Sequence, residues 1–299
     1  MPELPDVELY VHALRPRVVG AAFERVRMGN PFVVRTYDPP ISAVEGVEIR
    51  DVRRLGKRLV FAFRDELFMI VHLMIAGRFK WRDRGAVVPR KIGLAAFDLP
   101  NGTLLLTEAG SKRQASIHVV HGAAAVAEHD PGGLELFDID LERFVTRLTS
   151  ESHTLKRALT DPHIFSGIGN AYSDEILHAA RLSPMKLTSA LGSDEIGRLF
   201  QAARDTLRIW VARLQEDAGD DFPEKVTAFR DEMAVHGKYG KPCPVCGEPV
   251  QRIVYATNES NYCSRCQTGG RLLSDRALSR LLGQDWPKTL EDMEARRRR

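Results

Sequence analysis

The chain has 299 residues, 43% of them hydrophobic and 28% charged, and its 43 lysines and arginines stand against 40 acidic residues for a net charge of +3. That composition excludes a disordered or fibrous protein, and at about 100 to 200 residues per domain the length favours two domains, each able to bury a core. The near balance of charge does not by itself demand a polyanion partner, no stretch nears 18 uninterrupted apolar residues, and Glu3 and Asp6 stand where a signal peptide would be basic, which predicts a cytoplasmic protein without a membrane span.

After Asp6, the apolar residues Val7, Tyr10, Val11, Leu14 and Val18 recur at helical spacing and Gly20 supplies a stop, so a first helix should follow a very short N-terminal strand or loop. From about residue 22 to 121 the texture changes to short β-branched and aromatic runs such as RLVFAF, LFMIVHL, GLAAFDL and TLLLT, punctuated by Asn30-Pro31, Pro39-Pro40, Pro100-Asn101-Gly102 and Gly110. Many short strands at close intervals predict a β-sandwich or barrel over 1–121 with the helix leading it. A linker over 122–140 contains His129-Asp130-Pro131-Gly132-Gly133. Residues 141–236 read as helical, with one helix over about Asn170 to Arg181 entered through Phe165-Ser166-Gly167-Ile168-Gly169. A longer one is N-capped by Ser193 and carries the core stripe Ile196, Leu199, Phe200, Ala203, Leu207, Trp210, Val211 and Leu214. A small module over 237–267 and an extension over 268–299 complete the chain. In the extension Leu278, Leu281 and Leu282 suggest a short helix and Arg296 to Arg299 a flexible basic tail.

Four cysteines in a reducing compartment and a chain of this length argue against a disulfide framework. Cys243-Pro-Val-Cys246 is followed after sixteen residues by Cys263-Ser-Arg-Cys266. Two short-spaced thiolate pairs a hairpin apart match tetrahedral four-sulfur zinc, of the structural kind because no position is left open for water. Four reduced cysteines or a redox dithiol pair are the alternatives. Around them stand Lys238, Lys241, Arg252, Arg265, Arg271, Arg276 and Arg280, which suit phosphate contact or simply a solvated surface. Gly167-Ile-Gly169-Asn170 puts free N–H groups at a helix start, where a phosphate can sit and Lys156 could add charge; a plain tight turn is the alternative. Removal of Met1 ahead of a small residue would expose Pro2 as a secondary amine beside Glu3. An α-amino group titrates near about 7.7 to 8.0, so part of it is nucleophilic at neutral pH. Its iminium adduct cannot shed charge by losing an N–H, which favours elimination. From these two residues alone an ordinary flexible terminus is the simpler reading.

Taken in order, MPELPDVE, Lys57 in Arg53-Arg54-Leu-Gly-Lys57, His72-Leu73, Ser166-Gly-Ile-Gly-Asn170 and the late four-cysteine module resemble the formamidopyrimidine-DNA glycosylase and endonuclease VIII family of base-excision repair enzymes. The start, with Leu4 and Pro5 after Glu3, resembles the formamidopyrimidine branch, and the resemblance runs from residue 1 to about Gln267. It implies an α+β protein of two domains: an N-terminal catalytic β-sandwich with a leading helix, then a helix-two-turn-helix domain with a zinc finger holding one structural Zn2+. It implies a bifunctional glycosylase and abasic-site lyase that excises damaged, oxidised bases through a Schiff base and β/δ-elimination. Pro2 would be the nucleophile, Glu3 would protonate the sugar ring oxygen, Lys57 would contact the phosphate flanking the lesion, and Asn170 and Lys156 would hold neighbouring phosphates. The partners implied are double-stranded DNA with damaged bases or abasic sites, and single-stranded DNA, bound by a monomer near the nucleoid.

An enzyme of this kind must extrude a nucleotide and fill the hole it leaves. Here the sequence departs from the family. His72-Leu-Met-Ile-Ala-Gly77 replaces His-Leu-Gly-Met-Ser-Gly, so Met74 stands one place early, Ile75 takes the aligned position, and either could be the wedge. Thr107 to Ala115 replaces a Pro-Arg-Arg-Phe-Gly loop and has no aromatic, leaving Arg113 as its candidate for DNA contact; a finger arginine becomes Asn258, and a glutamate becomes Asp6. Two rival readings follow: a non-catalytic DNA-binding protein on the same scaffold, and a zinc-ribbon RNA-binding protein, which leaves the N-terminal motif unexplained. The altered loops predict stronger activity on abasic sites, single strands or badly distorted lesions than on 8-oxoguanine paired with cytosine.

Overall fold

Leu4–Val18 form helix α1, and the chain ahead of it is short enough that Glu3, extended at φ −110° and ψ −175°, is already the residue that caps it. Pro5 sits in the first turn, where its missing N–H costs nothing. The buried Asp6 carboxylate accepts the Glu3 N–H at 2.9 Å and satisfies a donor that the helix start leaves over. The computed structural model describes residues 1–299 except 111, 256–257, 275–282, 284–285 and 298–299, with the backbone alone at 255, 258, 294, 296 and 297.

The β-rich segment forms two four-stranded antiparallel sheets. Strands β1 (Arg25–Met28), β6 (Gly93–Leu99), β7 (Gly102–Glu108) and β5 (Gly77–Arg82) lie in that order in one sheet. Strands β2 (Ile49–Leu55), β3 (Arg58–Phe63), β4 (Leu67–His72) and β8 (Ser116–His121) make the other. Successive side chains alternate across a strand, so Leu59, Phe61 and Phe63 of β3 share one face with Met69 and Val71 of β4 and with Ile117 and Val119 of β8, all of them buried. That face meets the first sheet through aromatic contacts: Phe23 lies 5.0 Å from Phe97 and 6.0 Å from Phe61, and Phe61 lies 6.3 Å edge-on from Phe79. The result is the expected sandwich. The opposite face of β3 and β4 offers Val60 and Ile70, which pack under Val126 of α2 (Ala123–Ala127).

Two compact units divide the chain: 1–131 with 208–228, and 132–207 with 229–299. The later segment belongs in the first unit because Phe222 packs 6.0 Å from Tyr10 and 6.2 Å from Trp81, and because Glu224 pairs with Arg82 at 2.9 Å.

In the second unit the helices are α3 (Leu141–Leu148), α4 (Leu155–Thr160), α5 (Asn170–Ala179) and α6 (Ser193–Ala218), which continues into the first unit. Phe144 binds their core by stacking on Phe165 at 4.9 Å and lying 5.1 Å from Phe200. Ser193 is the first helical residue rather than the cap before it, and the orphan N–H of Gly192 is taken by the Glu195 carboxylate at 3.0 Å. α5 stops at Ala179, short of Arg181, whose φ of +56° is left-handed. A hairpin of β9 (Gln251–Tyr255) and β10 (Asn258–Tyr262) leads into α7 (Ser264–Thr268). Leu278, Leu281 and Leu282 lie outside the described residues, as do Arg276 and Arg280. Of the expected basic tail, Arg296 and Arg297 belong to helix α8 (Leu290–Arg297), while Arg298 and Arg299 lie outside the described residues. Among the described residues no helix is long and apolar enough to cross a membrane.

Candidate active site and metal centre

The N-terminus of the first unit gathers four of the groups that matter. Pro2 and Glu3 are buried at the head of α1. Lys57 comes from the tip of the β2–β3 hairpin, which is tied to α1 by the Arg54 guanidinium bonding the Glu8 carboxylate at 2.8 Å and the Gly56 carbonyl at 3.0 Å. Burial pushes the Lys57 ammonium below its usual range, against the opposing pull of the Glu3 carboxylate. The α-amino group, here on Met1, is also lowered from 8.0, first by burial and then by Arg78, with Glu3 and Asp6 opposing and Lys57 adding a little. An amine whose neutral form is favoured, next to a carboxyl group and two cations, can attack a carbon while a proton donor and a phosphate-holding charge stand by. Arg78 escaped the sequence reading, and only the geometry reveals it: its guanidinium bonds the carbonyls of Ile75 at 3.1 Å and Gly77 at 2.6 Å, fixing the turn beside the amine.

That turn carries both wedge candidates. Met74 is half-buried at φ +53°, a left-handed conformation that methionine adopts at a cost, and Ile75 is 65% exposed. His72, at the end of β4, has its Nε2 buried without a hydrogen-bond partner. Gly77 closes the turn because a Cβ there would lie 2.2 Å from the Leu73 carbonyl oxygen. Met74→Gly is expected to raise stability by up to about 1 kcal/mol, since glycine is at ease with positive φ. The urea midpoint measures it, and a clear loss would mean that the thioether packs more than the backbone strains. Glu108, buried at the foot of the loop that replaces the family's aromatic one, accepts the N–H groups of Gln114 at 3.0 Å and Ala115 at 3.2 Å. Arg113 is exposed and bonds the Lys91 carbonyl.

The second unit brings Lys156 and Asn170 together but spends their polar groups internally. Lys156 Nζ bonds the Asn170 carbonyl at 2.7 Å and the fully buried Asp174 carboxylate at 2.5 Å, while Asn170 Nδ2 donates to the Glu259 carbonyl at 2.8 Å. Asp174 also accepts from Ser260 Oγ at 2.9 Å and pairs with His236 Nδ1 at 2.8 Å. Its neighbour Glu175 caps the N–H groups of Ala234, Val235 and His236 at 2.8 to 2.9 Å. Sequence spacing gives no sign of Asp174 or Glu175, since apart from Lys156, 18 positions before Asp174, their partners lie 59 to 86 positions away. Asn258 opens β10, and its side chain lies outside the described residues.

The four cysteine sulfurs lie within 4.8 Å of one another, with Cys246 and Cys263 at 3.4 Å and Cys243 and Cys266 at 3.9 Å. Zinc–sulfur bonds of about 2.3 Å make tetrahedral edges of about 3.8 Å, so the donor set fits zinc in both chemistry and size. His178 Nε2 stands 3.3 Å from Cys243 Sγ, placed to hydrogen bond a thiolate from outside the ligand set.

Three family models match the chain: the formamidopyrimidine-DNA glycosylase N-terminal domain over residues 1–118, the formamidopyrimidine-DNA glycosylase H2TH domain over 133–218, and a zinc finger found in FPG and IleRS over 240–269. The module over 240–269 is thus a zinc finger with one structural zinc. The formamidopyrimidine-DNA glycosylase of Thermus thermophilus is 32% identical over 281 residues, covering 90% of this chain and 100% of the relative. That of Symbiobacterium thermophilum is 30% identical over 286 residues, covering 89% of each. Among solved structures, Lactococcus lactis Fpg complexed with abasic-site DNA superposes with a TM-score of 0.78 at 23% identity, covering 89% of this chain and 99% of that one, and so shares the fold.

Proposed function

The chain belongs to the formamidopyrimidine-DNA glycosylase family, and from that premise we propose that it is a DNA repair glycosylase with abasic-site lyase activity, working through a Schiff base on Pro2 once Met1 is removed. The observation that carries this reading is that Pro2 and Glu3 lie buried together at the head of α1, where the chain's N-terminal charge feels Glu3, Arg78 and Lys57. The Pro2 nitrogen lone pair adds to C1′ of the damaged nucleotide, and the base departs with the electrons of its bond. Glu3 protonates the ring oxygen as the sugar opens, leaving an iminium at C1′. Loss of a C2′ proton then expels the 3′ phosphate in β-elimination, and a second elimination at the 5′ phosphate is the δ step. Lys57, placed by the Arg54–Glu8 tie, neutralises the flanking phosphate. Arg78 holds the turn of Met74 and Ile75, of which Ile75, the more exposed, is the better placed to enter a vacated stack.

In the second unit Lys156 has donors beyond those used, and the Asn170 backbone opens α5, so both can still meet phosphates while their inward bonds hold α4, α5 and the finger hairpin in register. The zinc is structural and supplies shape rather than chemistry. The partner is damaged or abasic-site DNA, bound by a monomer in the cytoplasm. Borohydride reduction during incubation with a panel of lesion duplexes tests the whole reading, because it freezes the iminium. We expect a covalent complex on abasic-site DNA, and slower capture on 8-oxoguanine opposite cytosine, since no aromatic of the 107–115 loop is there to fill the hole. Absence of any trapped species would favour a DNA-binding protein without turnover.

A further inference from the structure

The outer face of the β2-β3-β4-β8 sheet divides into two parts. Val60, Ile70 and Val126, with Leu55, Phe68 and Val120 around them, form a small apolar cluster under α2. Strand register places a different set on the same face at its end: Arg58 lies opposite His72, His72 opposite Ser116, and His118 opposite Ile70. Just past α2 the chain brings the His129 ring onto His118, with centroids 4.6 Å apart and planes at 56°. The apolar cluster already covers the sheet, so a guanidinium and three imidazoles beside it need another explanation.

We propose that Arg58, His118 and His129, with His72 beside them, form a binding site for a phosphate group on this outer face. The charge balance around the cluster favours an anion. Arg58 acts on all three rings; Lys57 acts on His72, and Arg35 acts on His118. The acids facing them are Asp130, felt by Arg58, and Glu128, felt by His129. Burial, followed by Arg58 and Lys57, pushes His72 down to about 4; burial, followed by the adjoining His129 ring and then Arg58, does the same to His118, and burial with Arg58 lowers His129, so the rings are neutral at pH 7. His72 Nε2 is buried and unsatisfied. A phosphate would supply the negative charge this cluster lacks and acceptors for the Arg58 guanidinium and the His118 and His129 rings, while the fully buried Nε2 of His72 stays closed to it.

The site has a direction as well as a composition. Glu3 acts on Lys57, Lys57 on His72, and His118 lies one alternate position along the neighbouring strand, about 7 Å further out. A polyanion whose one phosphate meets Lys57 could therefore lay a further one on Arg58 and His118. That source, a backbone phosphate of bound DNA, rests on the function proposed above; the phosphate chemistry does not.

Binding should take up protons, because an anion raises the lowered histidines. Affinity should then increase as pH falls from about 7.5 to about 6, by at most tenfold per pH unit for each proton gained. The experiment follows histidine ring signals of the full-length, zinc-loaded protein by NMR during titration with inorganic phosphate, against chloride at equal ionic strength. His118→Gln and His129→Gln assign the signals, and Arg58→Gln and Arg58→Lys test the charge. The expected result is a saturable shift of both rings with phosphate alone, lost in Arg58→Gln and partly kept in Arg58→Lys. No saturable shift up to about 100 mM phosphate at about pH 6 overturns the site. In a second arm, the salt dependence of binding to undamaged duplex should fall by about one unit in Arg58→Gln if the source is DNA backbone. An unchanged slope beside an intact phosphate titration assigns the same site to free phosphate. Neither arm reads base excision, so failure of the glycosylase reading and failure of this one are separately visible.

Discussion

Protein that keeps Met1, or carries an extra residue ahead of Pro2, will give no borohydride-trapped complex with abasic-site DNA and will lose about a thousandfold or more of its strand cleavage, yet bind the same DNA nearly as tightly. In the proposed mechanism the nucleophile is the α-nitrogen of Pro2 itself, and acylating it removes the lone pair from reaction, whereas the cations assigned to phosphate are untouched. The processed protein should trap faster as pH rises through the Pro2 amine's own pKa and then level off. Glu3→Gln separates the two halves of the chemistry. An abasic sugar already samples its open aldehyde and needs no ring protonation, so trapping there should survive. Excision of an intact damaged base should fall by about a hundredfold to ten-thousandfold. Equal trapping by the blocked protein would move the nucleophile to Lys57, whose amine is likewise depressed by burial.

Stripping the zinc, or changing Cys263 to Ser, should abolish DNA binding while leaving the β-rich unit folded. The finger's own core is Val235, Cys243, Val250 and Cys263, too little to hold a fold of its own, so the metal's binding energy of about 10 to 16 kcal/mol is the folding energy of the module. Loss of the hairpin takes with it the Asn170–Glu259 and Asp174–Ser260 bonds that hold the start of α5. Hydrogen exchange reads both outcomes at once: residues 237–267 and the first turns of α5 should lose protection, and β3, β4 and β6 should keep theirs. A metal content near zero in fully active protein, purified without chelator, would refute the assignment.

What could be read from the residues alone was what is local. The period after Asp6, the short β-branched and aromatic runs between residues 22 and 121 and the paired cysteines each encode their structure within a few positions, and each appears in the molecule. Pro2 beside Glu3 stands out in the residues themselves, Lys57 enters only through the family resemblance, and in the fold the charge of Glu3 opposes the burial that lowers the Lys57 ammonium. Residues whose roles depend on distant partners were silent. Asp174 looks like any helical acid until Lys156, His236 and Ser260 converge on it from three elements. Glu108 looked like the edge of a divergent loop, and it is the clamp on that loop's far end. Lys156 illustrates the limit of residue type: the sequence supplied a charge near Asn170, and the fold supplied the Asp174 carboxylate that the charge first meets.

The division of the chain also sets a timetable for its synthesis. The first unit draws on residues 1–131 and 208–228, so its last part emerges nearly a hundred residues after its first. At about 5 to 20 residues per second, a nascent sandwich waits roughly 5 to 20 s with Tyr10 and Trp81 uncovered before Phe222 arrives. During that interval the growing polypeptide is exposed to holdase chaperones. For the same reason a fragment cut at the 122–140 linker would inherit an apolar surface in place of a finished unit, and a transplant that is to stay soluble must carry 208–228 along with the strands.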